Sequence, residues 1–442
     1  MKTNRLNRQR IRTALFICAI ILFCTSFIYG HDYVPGAPQS HPVLLKGGTV
    51  FTITGGVLEN TDILFVDGRI VQIAKNITAP DNTEVIDISG KSVYPGLIAP
   101  YTVIGLVEIG EVRATDDRNE TGMINPNVKA HIAYNPDSEI IPSVRANGIT
   151  TALIVPGGRL ICGTSSLMNL DGWTWEDAAE KLDIGIHVKW PAAKAHKGWD
   201  DERSLEEIKE QLRENRKAIY KAFDDAKTYY LARKADPTID KDSRWEAMIP
   251  VFDKTMPVFI EANDYRQIEQ AVQFAKDYEF NMILVGGRDA WMRPELLTDN
   301  DIPVIVEWSQ RLPSREDEPY DIVYALPGKL NDAGVKFCMA RAGGGWTRNL
   351  PFQAGQAIAF GLPKDIALRA MTLSAAEILG VDKDLGSIEV GKKATIIVSD
   401  GDIFDVLTQN IVFEFIEGKA VDLNNKHKEL YEKYKLKHYS GD

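Results

Sequence analysis

The two ends of this chain share a texture that its middle lacks, and this limits the folds open to it. Within residues 42–92 the sequence reads as short strands: Val43-Leu44-Leu45, Thr49-Val50-Phe51-Thr52-Ile53, Asp62-Ile63-Leu64-Phe65-Val66, Arg69-Ile70-Val71-Gln72-Ile73 and Glu84-Val85-Ile86-Asp87-Ile88. Asp67-Gly68 separates two of them, a pair that favours the positive φ of a tight hairpin. Short strands return over residues 386–423. Between these frames, apolar runs alternate with helical patterns. The runs are Gly148-Ile149-Thr150-Thr151-Ala152-Leu153-Ile154-Val155, Gly185-Ile186-His187-Val188-Lys189-Trp190, Pro257-Val258-Phe259-Ile260-Glu261, Asn281-Met282-Ile283-Leu284-Val285, Ile302-Pro303-Val304-Ile305-Val306 and Val335-Lys336-Phe337-Cys338-Met339. Strands interleaved with helices form parallel sheets, and one that closes is a barrel. The expectation is an α/β protein: a (β/α)8 TIM-like barrel over 93–385, clasped by a small β-sandwich domain built from 42–92 and 386–423.

Three segments stand outside that scheme. Residues 1–30 carry the basic residues Lys2, Arg5, Arg8, Arg10 and Arg12 and an apolar stretch over 11–28. They read as an export signal, which implies a periplasmic protein with no stable membrane insertion after cleavage. A retained anchor is the alternative, although the run is shorter than the ~20 residues a spanning helix prefers. Residues 199–247 are dense in charge, with Leu205, Ile208, Leu212, Ile219, Phe223 and Tyr230 at roughly helical intervals. This predicts a charged helical insertion, serving as a lid, a partner surface or a solvated helix on the barrel's side. Residues 424–442 form a basic tail of short amphipathic helical character.

The formal charge of −11, which grows more negative when the signal cations leave, argues against nucleic acid as a partner. Of four cysteines, Cys18 and Cys24 belong to the signal, leaving Cys162 and Cys338, too few for a disulfide framework.

Several residues fall at or just beyond inferred strand ends, where barrel enzymes build their pockets. Trp190, Trp291, Trp308 and Trp346, with Tyr101, would line an aromatic cleft for a small-molecule ligand, or else cap the barrel's core and rim. Arg341 and Arg348 flank Gly343-Gly344-Gly345, which suits a carboxylate or phosphate clamp or a flexible turn. Glu261, Asp289 and Glu307 are carboxylates at such ends, either salt-bridged or available for acid–base work. Glu261 and Asp289 are taken as the catalytic candidates.

The entry into the barrel, Gly90-Lys91-Ser92-Val93-Tyr94-Pro95-Gly96-Leu97-Ile98-Ala99-Pro100-Tyr101-Thr102-Val103, resembles the amidohydrolase superfamily, in particular its imidazolonepropionase-like branch. There the passage usually reads G-x-x-V-x-P-G-[FL]-I-D-x-H-x-H. The closing run Gly386-Ser387-Ile388-Glu389-Val390-Gly391-Lys392-Lys393-Ala394-Thr395-Ile396-Ile397-Val398 is similar to the family's last signature. The resemblance implies hydrolysis of carbon–nitrogen bonds other than ordinary peptide links. It also implies a divalent metal that lowers the pKa of bound water to about 7. The ligand positions are changed, however: Tyr101 and Val103 replace the first His pair, Glu261 the fifth-strand His and glycine the sixth-strand His, and no carboxylate ends the last strand. Of seven histidines only His131, His187 and His196 fall within 93–385. The expectation is therefore no cofactor, with a single rearranged Zn, Mn or Fe on His187, Glu261 and Asp289 as the alternative. Two readings follow: a carbon–nitrogen hydrolase, or a catalytically inactive periplasmic binding or assembly protein using the barrel mouth. Either is compatible with a homo-oligomer.

Overall fold

The computed structural model describes residues 33–307, 311–313 and 315–439, so the export signal expected in residues 1–30 lies outside them. The described residues from Pro35 onward form one compact unit.

The frame sheet takes strands from both ends. Its members are β1 (Val43–Phe51), β2 (Val57–Val66), β3 (Arg69–Ala74), β4 (Glu84–Asp87) and β5 (Ser92–Pro95), and from the far end β14 (Ile396–Ser399), β15 (Ile411–Ile416) and β16 (Lys419–Ala420). The order is β16-β15-β14-β5-β1-β2-β3, with β4 on β1. The two halves curl together over one apolar core, Phe65 of β2 meeting Phe415 of β15 edge to face at 5.1 Å. The expected hairpin at Asp67-Gly68 is present with φ of 47° and 74°. The two runs read around Leu44 and Val50 are a single strand, with an irregularity near Gly48.

The chain passes into the barrel through Pro95-Gly96. The amide of Gly96 donates to the carbonyl of Thr395 at 2.9 Å. A Cβ at this position would lie 2.2 Å from Thr150 Oγ1 and 2.8 Å from Thr395 Cγ2. Only glycine lets β5, β14 and the first barrel strands converge there. Gly96→Ala is expected to lower stability by about 1–3 kcal/mol through overpacking, measurable by denaturant titration; an unchanged midpoint would mean the two threonines yield freely.

The barrel contains β6 (Leu97–Thr102), β7 (Ile149–Ile154), β8 (Ile161–Asn169), β9 (Ala179–Lys189), β10 (Val258–Ala262), β11 (Met282–Gly286), β12 (Val304–Glu307) and β13 (Phe337–Ala340) in consecutive order. All six strand-like runs read from the sequence are strands. The parallel (β/α)8 pattern needs one correction: β8 runs antiparallel to both β7 and β9. Short connections replace the crossover helices there, so β8 starts at the mouth end of the barrel. The terminal strands β6 and β13 lie side by side without a ladder. They are joined at the mouth by Thr347 Oγ1, which bonds Thr102 Oγ1 (2.8 Å) and the Arg341 carbonyl (2.9 Å). Inside, Ile98, Leu153, Phe259, Ile283, Ile305 and Cys338 fill the barrel.

The charged insertion is mainly one helix, α1 (Leu205–Ala235), opened by a Ser204/Glu207 capping box. Its buried Ile208, Ile219 and Phe223 pack on the barrel's side, as the solvated-helix reading requires. The helix α2 (Tyr265–Tyr278) follows β10. The tail forms α3 (Lys426–Tyr439), largely exposed. Among the described residues no helix is long and apolar enough to cross a membrane. Cys162 and Cys338 are both buried and free.

Candidate active site

Register decides which side chains meet at the barrel mouth. On parallel strands, residues two apart share a face. In β9, His187 and Lys189 stand opposite Phe259 and Glu261 of β10, and Glu261 is level with Val285 of β11. In β12, Glu307 lies two residues beyond Ile305, beside Ala340 of β13. Phe259, Val285, Ile305 and Ala340 belong to the interior apolar cluster. Glu261, Lys189 and Glu307 therefore project inward with them, at the C-terminal ends of their strands.

The electrostatics show these groups acting on one another. Burial, with the Glu261 carboxylate adding to it, raises the Glu307 carboxyl to about 7 against the downward pull of Arg341 and Lys189. Tyr101, at the end of β6, is a half-buried residue whose desolvated phenol is pushed well above the usual value, with Glu261 and Glu307 adding to the effect. The Cys162 thiol rises to about 11 by burial, against the pull of Lys189. Below them His187 stacks on Phe259 at 4.5 Å and faces Tyr101 at 5.9 Å. Burial, with the Lys189 cation, lowers it to about 3, and its Nε2 has no hydrogen-bond partner among the described residues. The imidazole is thus neutral at physiological pH.

Glu261 joins this cluster, and Arg341 links it to the rim. The guanidiniums of Arg341 and Arg348 lie 5.6 and 5.9 Å from the Trp346 ring, which is 59% exposed. Asp289 is committed elsewhere: 3% exposed, it accepts from Arg315 Nη1 at 2.7 Å and from the Tyr265 amide at 3.1 Å, at the start of α2. It serves as a structural anchor there. Trp190 also needs correction as a binding residue. Alternation turns it outward from Lys189, 3% exposed, against Phe274 (4.8 Å) and Tyr220 (6.1 Å) on the two neighbouring helices. Trp190→Ala should cost about 3–5 kcal/mol of stability, while any ligand binding by the still-folded protein at low temperature stays unchanged; a selective binding defect would contradict this placement. Trp291 is partly buried against the core, with Lys329 over its ring. Trp308 lies outside the described residues. Lys189 was missed as a site residue because a terminal lysine ordinarily reads as solvated. The available signal was its shared face with His187.

A family-type divalent metal does not fit this donor set. Among the described residues no group of three or more His, Cys, Asp or Glu side chains is placed to hold one. At the sixth-strand position Gly286 has φ of 92°, and a Cβ there would lie 2.5 Å from Asn263 Oδ1. That position is closed to an imidazole. A cavity of about 550 Å³ lined by Pro257, Asn281, Met282 and Pro303 lies at the opposite, N-terminal ends of β10–β12; the inward-facing carboxylates favour the mouth as the site of chemistry.

An eight-stranded barrel framed by a sheet from both chain ends is the architecture this chain shares with amidohydrolases of known structure. The model of the amidohydrolase family matches residues 313–423. An amidohydrolase from Thermotoga maritima superposes with a TM-score of 0.75 at 25% identity, covering 86% of this chain and 99% of that one. Amidohydrolase tasK of Hapsidospora irregularis is 21% identical over 383 residues, 77% of this chain and 38% of that protein. Dihydropyrimidinase 1 of Caenorhabditis elegans is 40% identical over 78 residues, 18% of this chain and 16% of that protein. The matches thus span well under two thirds of these two relatives. The chain is similar to amidohydrolases in fold over most of its length and in sequence over residues 313–423.

Proposed function

We propose that this protein is an exported, periplasmic hydrolase of carbon–nitrogen bonds other than ordinary peptide links, working from the barrel mouth by acid–base chemistry without a metal. The observation that carries this reading is the inward-facing Glu261 and Glu307, flanked by Lys189 and Arg341 at the strand ends. Two carboxyls held so that one retains its proton can divide the roles of base and acid. Glu261 takes a proton from water as its oxygen attacks the carbonyl carbon. Lys189 and Arg341 stabilise the oxyanion. Glu307 gives its proton to the departing nitrogen as the carbon–nitrogen bond breaks, leaving a carboxylic acid and an amine. Proton return from Glu261 to Glu307 resets the site. The export part of the proposal rests on the basic and apolar pattern of residues 2–28.

The test is amine release from a panel of N-acyl and cyclic amides, by protein purified without metal affinity steps and treated with chelator, with metal content measured alongside. Turnover that survives chelation and disappears in Glu261→Gln is expected. Near-stoichiometric Zn, Mn or Fe with chelator-sensitive activity would restore a metal mechanism. Absence of turnover across the panel would leave ligand binding at the mouth, which the exposed Trp346 close to two guanidiniums favours as the second reading.

A further inference from the structure

The turn after β13 holds an exposed aromatic ring close to two cations, and buried bonds fix it in place. Gly343 and Gly344, with φ of 96° and 49°, reverse the chain so that Trp346 stands out from the rim. The next residue, Thr347, is fully buried and ties this turn to β6 through Thr102 and to the Arg341 carbonyl. Asn147 Nδ2 donates to the Arg348 carbonyl at 2.8 Å, anchoring the far side. Arg341 and Arg348 both lie within 6 Å of the ring. A large ring left 59% exposed on so firmly held a turn gains little for the fold itself. It is instead organised in advance to receive a planar group on its face while the guanidiniums receive negative charge. Arg341, 5.6 Å from the ring, is also under the influence of the Glu307 carboxylate, which connects the rim to the carboxyl pair electrostatically.

Building on the hydrolytic reading above, we infer that the Arg341–Trp346–Arg348 shelf selects the substrate: an amide that carries a carboxylate on a planar, aromatic-like group. The planar group stacks on Trp346, the carboxylate is taken by the Arg348 guanidinium, and the scissile bond extends inward toward Arg341, Glu261 and Glu307.

Equilibrium binding of benzoate and of its neutral isostere benzamide, by calorimetry on the whole chain at low and moderate salt, tests this without requiring turnover. Benzoate is expected to bind about tenfold tighter than benzamide, as one charge-assisted contact warrants, with the preference shrinking as salt rises. Arg348→Met should abolish the preference while leaving benzamide binding within about twofold, and Trp346→Ala should weaken both probes by about tenfold. Both side chains reach solvent, and matched unfolding midpoints establish that the variants fold. Benzoate binding should persist in Glu307→Gln, which separates the shelf from the chemistry: a failed hydrolytic reading abolishes turnover and leaves this binding intact. Equal affinity for the two probes, a preference that survives Arg348→Met, or binding indifferent to Trp346→Ala would each overturn the inference.

Discussion

Arg145→Met lowers the free energy of unfolding by about 3–5 kcal/mol, read by denaturant titration at pH 7. Arg145 is 0% exposed, at the end of the short helix before β7, and three separate stretches of chain rely on it. Its Nη1 donates to the Leu170 carbonyl (3.1 Å) and to Asp171 Oδ1 (3.2 Å), and its Nη2 to the Asp422 carbonyl (2.6 Å), tying β8's exit to the end of the frame sheet. Methionine matches much of the volume but leaves a buried carboxylate short of its cation and two carbonyls short of a donor. Glu414 makes the case sharper. It is buried without a hydrogen-bond partner among the described residues; burial pushes its carboxyl well above the usual range, Arg145 draws it down, and Asp171 pushes it up. A carboxyl raised in the fold contributes stability that is full below the unfolded value of about 4.3 and is lost as pH rises through the folded value. Glu414→Gln should therefore stabilise the protein at pH 7 and flatten its pH dependence, while Arg145→Met should steepen it. An Arg145→Met midpoint indistinguishable from wild type would show that Asp171 and Glu414 are compensated by other groups.

What the sequence disclosed follows from the range of each interaction. The frame strands and the Asp67-Gly68 hairpin were legible because alternation and turn chemistry are local. Six barrel strands stood out as apolar runs. The missed strand, β8, is Ile161-Cys162-Gly163-Thr164-Ser165-Ser166-Leu167-Met168-Asn169, whose small polar residues break the apolar pattern. Its hydroxyls find partners such as Pro126, Gly185 and His131 on other segments, contacts no local pattern announces. At the site, Glu261 and Arg341 could be placed at strand ends, but period two separates what proximity along the chain groups. Once His187 and Lys189 share the inner face, Trp190 must turn outward. The bonding of Asp289 away from this cluster was hidden for a different reason: it sits three residues past β11, and its pairing with Arg315 joins loops distant in sequence. The clustering of Glu261, Lys189, Glu307 and Arg341 required strand register, which parallel strands joined by long crossovers do not reveal in a single sequence.

The second large effect concerns Glu307. Glu307→Gln is expected to reduce kcat by about 10²–10⁴-fold, the usual contribution of a positioned general acid, and to erase the alkaline limb of the pH–rate profile. Burial and the Glu261 carboxylate raise Glu307 to about 7 against Arg341 and Lys189, with Tyr101 also facing the pair. An acid must hold its proton to donate it, so activity persists below about pH 7 and falls above it. Glutamine has no proton to give, and its profile should be low and free of that limb. Loss of fold does not explain such a result, because the same shift carries a stability consequence of opposite sense. A carboxyl raised from the unfolded range to about 7 loses its stabilising contribution as pH rises through that value, and glutamine escapes the loss. The variant should be at least as stable as wild type at pH 8. Arg341→Met supplies the discriminating control: removing the cation that pulls Glu307 down should move the alkaline limb to higher pH. A limb that stays in place in Arg341→Met, or that persists in Glu307→Gln, assigns the titration to another group and removes Glu307 from the role of acid.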